Sequence, residues 1–406
     1  MNGRGILAML AISLFCSGLA SCGNGGSKTS SVPSLLRTDQ FSGNAANSYE
    51  VFVPARTESN QTFPLLVILD PHGSGKTALA HFRLAAERYP VVLVASNLIK
   101  NNLPGFEGVI QSLIADVQAK YPVDKRVYMS GFSGGARMAV GYAMSHPLNG
   151  LILSGALAGS QELHQVGCMV YAISGTDDFN FMETAQYLFQ EATTPTNLKI
   201  ELTRSSHGWP DSLILADAFG FVRWATSANE ADAVALKAFE KGQTVKIDSL
   251  RLKAAFIMAR WTARNMTGTP PFNADQSFST LDNQLKSSPG YADEMKRLLE
   301  NLQMEVSVRD PYLKALETND VTWWKNELVK VDGQIRTAKD PLTQDAYRRI
   351  KGFWGIACYS MCNKAVASGD FKSLRQYVSV YRILEPQNPD MLHFSELLVQ
   401  GTGQAE

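Results

Sequence analysis

The chain has no excess of charge of either sign: 38 Lys and Arg stand against 38 Asp and Glu. That balance argues against broad electrostatic capture of nucleic acid or of an anionic membrane surface. Charged residues are also few, at 19 %, somewhat below the usual quarter. No apolar run is long enough to span a hydrocarbon core of roughly 30 Å. The nearest approach, Ile6 to Phe15, is broken by Ser17 and Gly18. Cysteine is scarce, with five residues and no CxxC pair, which excludes a dense disulfide framework and the usual zinc patterns. What is present is a globular composition, 45 % apolar and 9 % aromatic, which excludes disorder along the whole chain. The length of 406 residues suggests two or three domains.

Arg4 ahead of Ile6–Phe15 gives the charged-then-apolar order of an export signal. The run closes on Leu19-Ala20-Ser21-Cys22, which resembles the bacterial lipoprotein signal, in which a small-residue stretch precedes a cysteine that becomes the lipidated first residue. The resemblance implies removal of residues 1–21, lipidation of Cys22, and a place in the cell envelope, facing the periplasm or the surface. Ordinary secretory cleavage with Cys22 incidental is the alternative. Residues 22–48, rich in Gly, Ser and Asn, read as a flexible tether. Of the remaining cysteines, Cys358 and Cys362 share a helix face at i, i+4 and read as core. An exported chain could also oxidise one pair among Cys168, Cys358 and Cys362.

Periodicity divides the rest in two. From Tyr49 to Thr226 short apolar runs alternate with amphipathic stretches. Strands are expected at 63–69, 91–96, 126–130, 151–154, 169–174 and 199–203. Helices are expected at 78–89, 106–121, 135–146, 183–192 and 212–225. Leu65-Leu66-Val67-Ile68-Leu69 and Val91-Val92-Leu93-Val94 are apolar on both faces, as strands between two helix layers require. The alternation predicts an α/β domain over 49–226, a doubly wound, mostly parallel sheet with residues 49–54 as an antiparallel edge. After Ser227 the strand signal stops. Helices are expected at 231–241, 249–265, 293–302, 323–337, 345–368 and 372–384, making residues 227–406 a separate all-α domain. Its end, with Gly369-Asp370-Phe371 at a turn and Leu384-Glu385-Pro386 after a second helix, resembles a tetratricopeptide unit, although Leu374 and Tyr381 stand where that family has small residues. Helical hairpins are the expectation, with an ordinary bundle as the alternative.

Chemistry concentrates at Gly131-Phe132-Ser133-Gly134-Gly135, between the strand expected at 126–130 and a helix. G-x-S-x-G at a strand-to-helix switch is a nucleophile elbow, whose glycines tolerate the close backbone of a tight turn. The serine oxygen is exposed there, and the helix N-terminus favours developing negative charge. A serine needs a base and an orienting carboxylate, which in this arrangement follow as acid, then histidine. Gly175-Thr176-Asp177-Asp178 and Ser205-Ser206-His207-Gly208-Trp209-Pro210 each follow a strand, on the edge where open α/β sheets place their sites. His207 is the one histidine after Asp178 in this half. Asp177 and Asp178 both remain candidates for the acid.

Residues 63–226 resemble the α/β-hydrolase superfamily. The nearest relatives by motif are secreted polyhydroxybutyrate-depolymerase and feruloyl-esterase-like enzymes and dienelactone-hydrolase-like proteins. In these the acid ends a G-x-x-D element and the histidine lies in G-H-x-W-P. The resemblance favours Asp178 over Asp177 and assigns His207, with serine replacing the glycine before it. Gly134, after the nucleophile, is expected to give one oxyanion N–H. The Pro71-His72-Gly73-Ser74-Gly75 loop resembles the esterase H-G-x-G element, which implies Ser74 as the second donor. Phe132, Phe179 and Trp209 are expected as pocket walls or as plain core.

Gly73-Ser74-Gly75-Lys76-Thr77 also has the tail of a phosphate-binding loop, but Asp70 stands where the first glycine of G-x-x-x-x-G-K-[ST] belongs. Its charge would repel phosphate. The expected activity is therefore a serine esterase using Ser133, Asp178 and His207, with no metal or organic cofactor. The substrate would be a small or polymer-linked ester. A prolyl-oligopeptidase-like peptidase is one alternative. The other is an inactive scaffold lipoprotein that binds a protein partner through its helices.

Overall fold

The computed structural model describes residues 32–41, 44–227, 232–272 and 276–402. The expected signal 1–21 and Cys22 lie outside them. Eight strands form one sheet: β1 (Leu35–Phe41), β2 (Asn44–Val53), β3 (Phe63–Leu69), β4 (Val92–Ser96), β5 (Val123–Phe132), β6 (Gly150–Ser154), β7 (Met169–Gly175) and β8 (Leu198–Thr203), in the order β1-β2-β4-β3-β5-β6-β7-β8. Strands β3 to β8 are mutually parallel, while β2 is antiparallel to both β1 and β4. Every residue of β3, β4 and β6 is buried, because helices cover both faces. Leu65 and Val67 pack on one side with Ile110, Leu113 and Ala139, and Leu66 and Ile68 pack on the other with Phe82, Phe219 and Phe221. Alternate residues of one strand thus feed two cores.

The helices of this half are α1 (Gly75–His81), α2 (Arg83–Arg88), α3 (Phe106–Lys120), α4 (Gly134–Ser145), α5 (Ser160–Gln165), α6 (Phe181–Phe189) and α7 (Ser212–Thr226). The second half holds α8 (Ala233–Leu252), α9 (Phe256–Asn265), α10 (Gln276–Lys286), α11 (Pro289–Thr318), α12 (Val321–Thr337), α13 (Pro341–Ser368), α14 (Phe371–Leu384) and α15 (Pro389–Thr402). Among the described residues no strand follows β8, and no helix is long and apolar enough to cross a membrane.

Two expectations change. The tether does not reach residue 48: β1 pairs with β2 from Leu35↔Val53 to Gln40↔Ser48, so this stretch is an antiparallel hairpin at the sheet edge. Thr38, bonded to Glu50, and Arg37, bonded to Asp39, give it the polar side chains expected of an exposed edge. Nor does the core break at residue 227. Ile247, Ala259, Ala263, Phe272 and Phe278 share the core of Phe219 and Phe221. The Asn265 side chain closes the open edge of β8, accepting from Ile200 N–H at 2.9 Å and donating to Ile200 O at 2.7 Å.

A separate helical core lies further on, around Trp324, Trp354, Cys358, Cys362, Val378 and Leu398. Trp324 and Trp354 meet edge to face at 5.3 Å, a geometry worth about 0.5–1.5 kcal/mol beyond burial. Cys358 and Cys362 are buried free thiols there. Gly369, at φ 71°, turns α13 into α14, as a left-handed helix end requires. Leu374 and Tyr381 are buried in this core, so the hairpin packs on large side chains. Helix α11 links the two halves: Leu298 and Leu302 pack into the sheet side, Ala315 and Leu316 into the helical core.

Candidate active site

Ser133, Asp178 and His207 follow β5, β7 and β8, three strands of the parallel set, at their carboxyl ends. Ser133 sits at φ 52°, ψ −118° between β5 and α4, a conformation that L-residues rarely hold. Its surroundings impose it. A Cβ on Gly131 would lie 2.3 Å from the Gly135 carbonyl oxygen, and one on Gly135 would lie 2.1 Å from that of Leu69. Strand, turn and helix therefore approach more closely than any other residue type permits.

The Ser133 Oγ is 2.9 Å from His207 Nε2, and His207 Nδ1 is 2.9 Å from each carboxylate oxygen of Asp178. Asp178 is buried. It is held by accepting the Asn180 N–H at 2.8 Å and by donating its own N–H to Gly175 O. The neighbouring Asp177 turns the other way, toward Arg348 at 4.0 Å. Burial, and then Asp345, push its carboxyl above the ordinary range. Of the two aspartates, Asp178 is the one against the histidine. The imidazole lies between Phe179 and Phe132, with ring centroids at 4.1 and 4.8 Å, so its rotation is restricted. Both rings also face the cleft. Trp209 instead donates its indole N–H to Asp70 at 3.0 Å and serves the loops beneath.

Asp70 ties down the loop from which the second oxyanion donor was expected. Its Oδ1 accepts the N–H of His72 at 2.9 Å and of Ser74 at 3.2 Å, and its carbonyl accepts that of Gly73. The expected donor Ser74 is thus committed inward, and it does not border the cleft. The same three bonds turn the amides of this loop away from any phosphate. Gly134 is the first residue of α4, where amides have no partner within the helix. Sequence reasoning missed Asn101. Its backbone N–H is tied to Pro71 O at 2.8 Å, its side chain packs on the Gly134 backbone, and it borders the cleft beside Ser133. The Asn101-Asn102 pair just past β4, with Asn102 at φ 62°, was the available signal, because it falls on the same sheet edge.

Above these residues lies a cleft of about 810 Å³. Its floor is Ser133, His207 and Phe179, and its roof is helical: Ile335 of α12, Arg348, Ile356 and Tyr359 of α13, and Asp390 of α15. His72 reaches up to Asp390 at 3.6 Å, and this bond raises its pKa despite partial burial. Among the described residues no group of three or more His, Cys, Asp or Glu side chains converges as a metal site.

No protein-family model matches the chain, and no curated protein matches it. Solved structures similar to it include a fluorophosphonate-binding serine hydrolase of Staphylococcus aureus, at 12 % identity and TM-score 0.39 over 48 % of this chain and 98 % of that one. Esterase B from Lactobacillus rhamnosis is 14 % identical at TM-score 0.39, over 49 % of this chain and 90 % of its own. Est1E from Butyrivibrio proteoclasticus is 12 % identical at TM-score 0.38, over 48 % and 100 %. By its own sheet order, its parallel strands β3–β8 and its strand–turn–helix at Ser133, this chain has an α/β-hydrolase fold, continued by an all-helical region.

Proposed function

We propose that this chain is an exported, lipid-anchored serine hydrolase acting on carboxylic esters. The observation that carries the reading is the unbroken relay Ser133–His207–Asp178, each step 2.9 Å, opening on a large cleft. His207 Nε2 takes the Ser133 proton as Oγ bonds to the ester carbonyl carbon. Asp178 fixes the tautomer and stabilises the imidazolium. The carbonyl oxygen, now negative, is held by the Gly134 N–H and, in this reading, by the side-chain amide of Asn101, each donor worth about 3 kcal/mol. Collapse expels the alcohol oxygen, which His207 protonates. Water, deprotonated by His207, then attacks the acyl-enzyme, and the acid leaves as Ser133 regains its proton.

A helical roof over the cleft favours an acyl or alcohol group enclosed between the two halves, with Phe132 and Phe179 as its apolar floor. Anchoring rests on Leu19-Ala20-Ser21-Cys22 and puts the enzyme in the cell envelope. A fluorophosphonate probe tests the central claim. Wild type should be covalently labelled and Ser133→Ala should not. A folded wild type that takes no label refutes the hydrolase reading and leaves a non-catalytic protein whose helices bind a partner.

A further inference from the structure

The turn that carries Asp178 is gripped by the helical half. Thr176, two residues earlier, donates its hydroxyl to Asp345 Oδ2 at 2.8 Å, and its carbonyl accepts from Arg349 Nη1. Both partners belong to α13. Arg349 is 1 % exposed and Glu305, on α11, 2 %. The Nε of Arg349 lies 3.1 and 3.0 Å from the two oxygens of Glu305, and its Nη2 also bonds to that carboxylate. Its guanidinium stands 5.0 Å over the ring of Phe181, which opens α6 just after Asp178. One fully buried cation thus meets both the carbonyl of the acid turn and the helix that follows it, while Asp345 holds the Thr176 side chain. A buried ion pair adds little stability over a well-packed apolar replacement. What this one supplies is a fixed place for the Thr176 carbonyl.

We infer that Arg349, oriented by Glu305 and assisted by Asp345, is a positioning residue for Asp178. The helical half thereby sets the reactivity of a serine that the clasp itself does not touch. The inference rests on the relay assignment above. Displacements of an ångström at a relay cost up to about a hundredfold in rate, so a loosened clasp is expected to slow Ser133 while leaving substrate binding nearly intact.

The test uses the detergent-solubilised full chain as wild type, Arg349→Lys, Thr176→Val and Glu191→Gln. The last cuts a different contact between the halves, Glu191 with Arg260, Arg264 and Lys286, and serves as a destabilised control. Fluorophosphonate labelling of Ser133 should slow about tenfold or more in Arg349→Lys and Thr176→Val, and should keep its rate in Glu191→Gln. Independently of any activity, the low-field proton resonance of His207 Nδ1–H against Asp178 should exchange with water about tenfold faster in the first two. Should Arg349→Lys not fold, Thr176→Val carries the same expectation with the ion pair intact. Wild-type labelling rates and an unmoved resonance in folded variants overturn the inference. A wild type that does not label removes the hydrolase reading alone, because the resonance still decides the clasp.

Discussion

Replacing Asp178 with Asn tests the relay most severely, because the surrounding bonds dictate how the new side chain must sit. The Asn180 N–H donates to Asp178 Oδ1 at 2.8 Å, so the oxygen of the substituted carboxamide belongs there. Its NH2 then takes the Oδ2 position, 2.9 Å from His207 Nδ1 and as close as Oδ1. With the negative charge gone and a donor at that distance, Nδ1 is favoured as acceptor and the ring proton as resident on Nε2, the nitrogen 2.9 Å from Ser133 Oγ. The base is then blocked. Loss of the correct tautomer is worth about 10³–10⁴ in kcat, or about 4–5.5 kcal/mol of barrier. Asp177→Asn is the matched control. Its carboxyl is raised by burial and by Asp345, so its charge opposes folding at neutral pH. Neutralising it should leave kcat within about threefold and should not lower the melting temperature. Initial rates on a p-nitrophenyl ester, with melting curves for both variants, make the comparison. Activity of Asp178→Asn within tenfold of wild type, or a collapse in Asp177→Asn instead, refutes the assignment.

The sheet was legible because its strands are doubly buried. An apolar pentad such as Leu65–Leu69 has few other places to go, and the observed β3 coincides with the expected 63–69. The elbow was legible because glycine at 131, 134 and 135 marks close approach. The first strand was not, since Leu35–Phe41 carries exposed edge residues that read like a linker; of its partner β2, only the antiparallel stretch expected at 49–54 was legible. Helix ends failed for local reasons. The helix expected at 249–265 breaks at Ala254, held at φ 53°, although alanine favours helix. Helix α11 runs through Pro311, which normally ends one. The Ser74 N–H was expected to face the cleft because the motif around it was matched without asking what Asp70 would accept. A buried carboxylate at the end of β3 draws the loop amides to itself, and a one-dimensional pattern carries no record of that.

Three further outcomes follow from the same contacts. Asn101→Ala should lower kcat about 100-fold with little change in KM; a loss below threefold would leave Gly134 without this partner. Cys22→Ala should abolish incorporation of labelled palmitate and move the protein from the membrane to the soluble fraction, whereas continued labelling would place the anchor elsewhere. Glu191 joins the 3-10 turn Glu191–Thr193 to α9 and α10, meeting Arg260 Nη2 at 2.7 Å, Arg264 at 3.2 Å and Lys286 at 3.1 Å. The Arg260 hydrogen bonds, ahead of those from Lys286, hold its carboxyl down to about 2, from an ordinary 4.5. A folded pKa below the unfolded one means stability that is complete above pH 4.5 and drains away as the pH falls toward 2. A shift of that size corresponds to about 3 kcal/mol in a sealed site, and partial solvent access reduces it to about 1–2 kcal/mol. Glu191→Gln should therefore lower the urea midpoint at pH 7 and converge with wild type near pH 2. An equal deficit at both pH values would mean that the lost term is packing and that the ionised carboxylate does not join these elements.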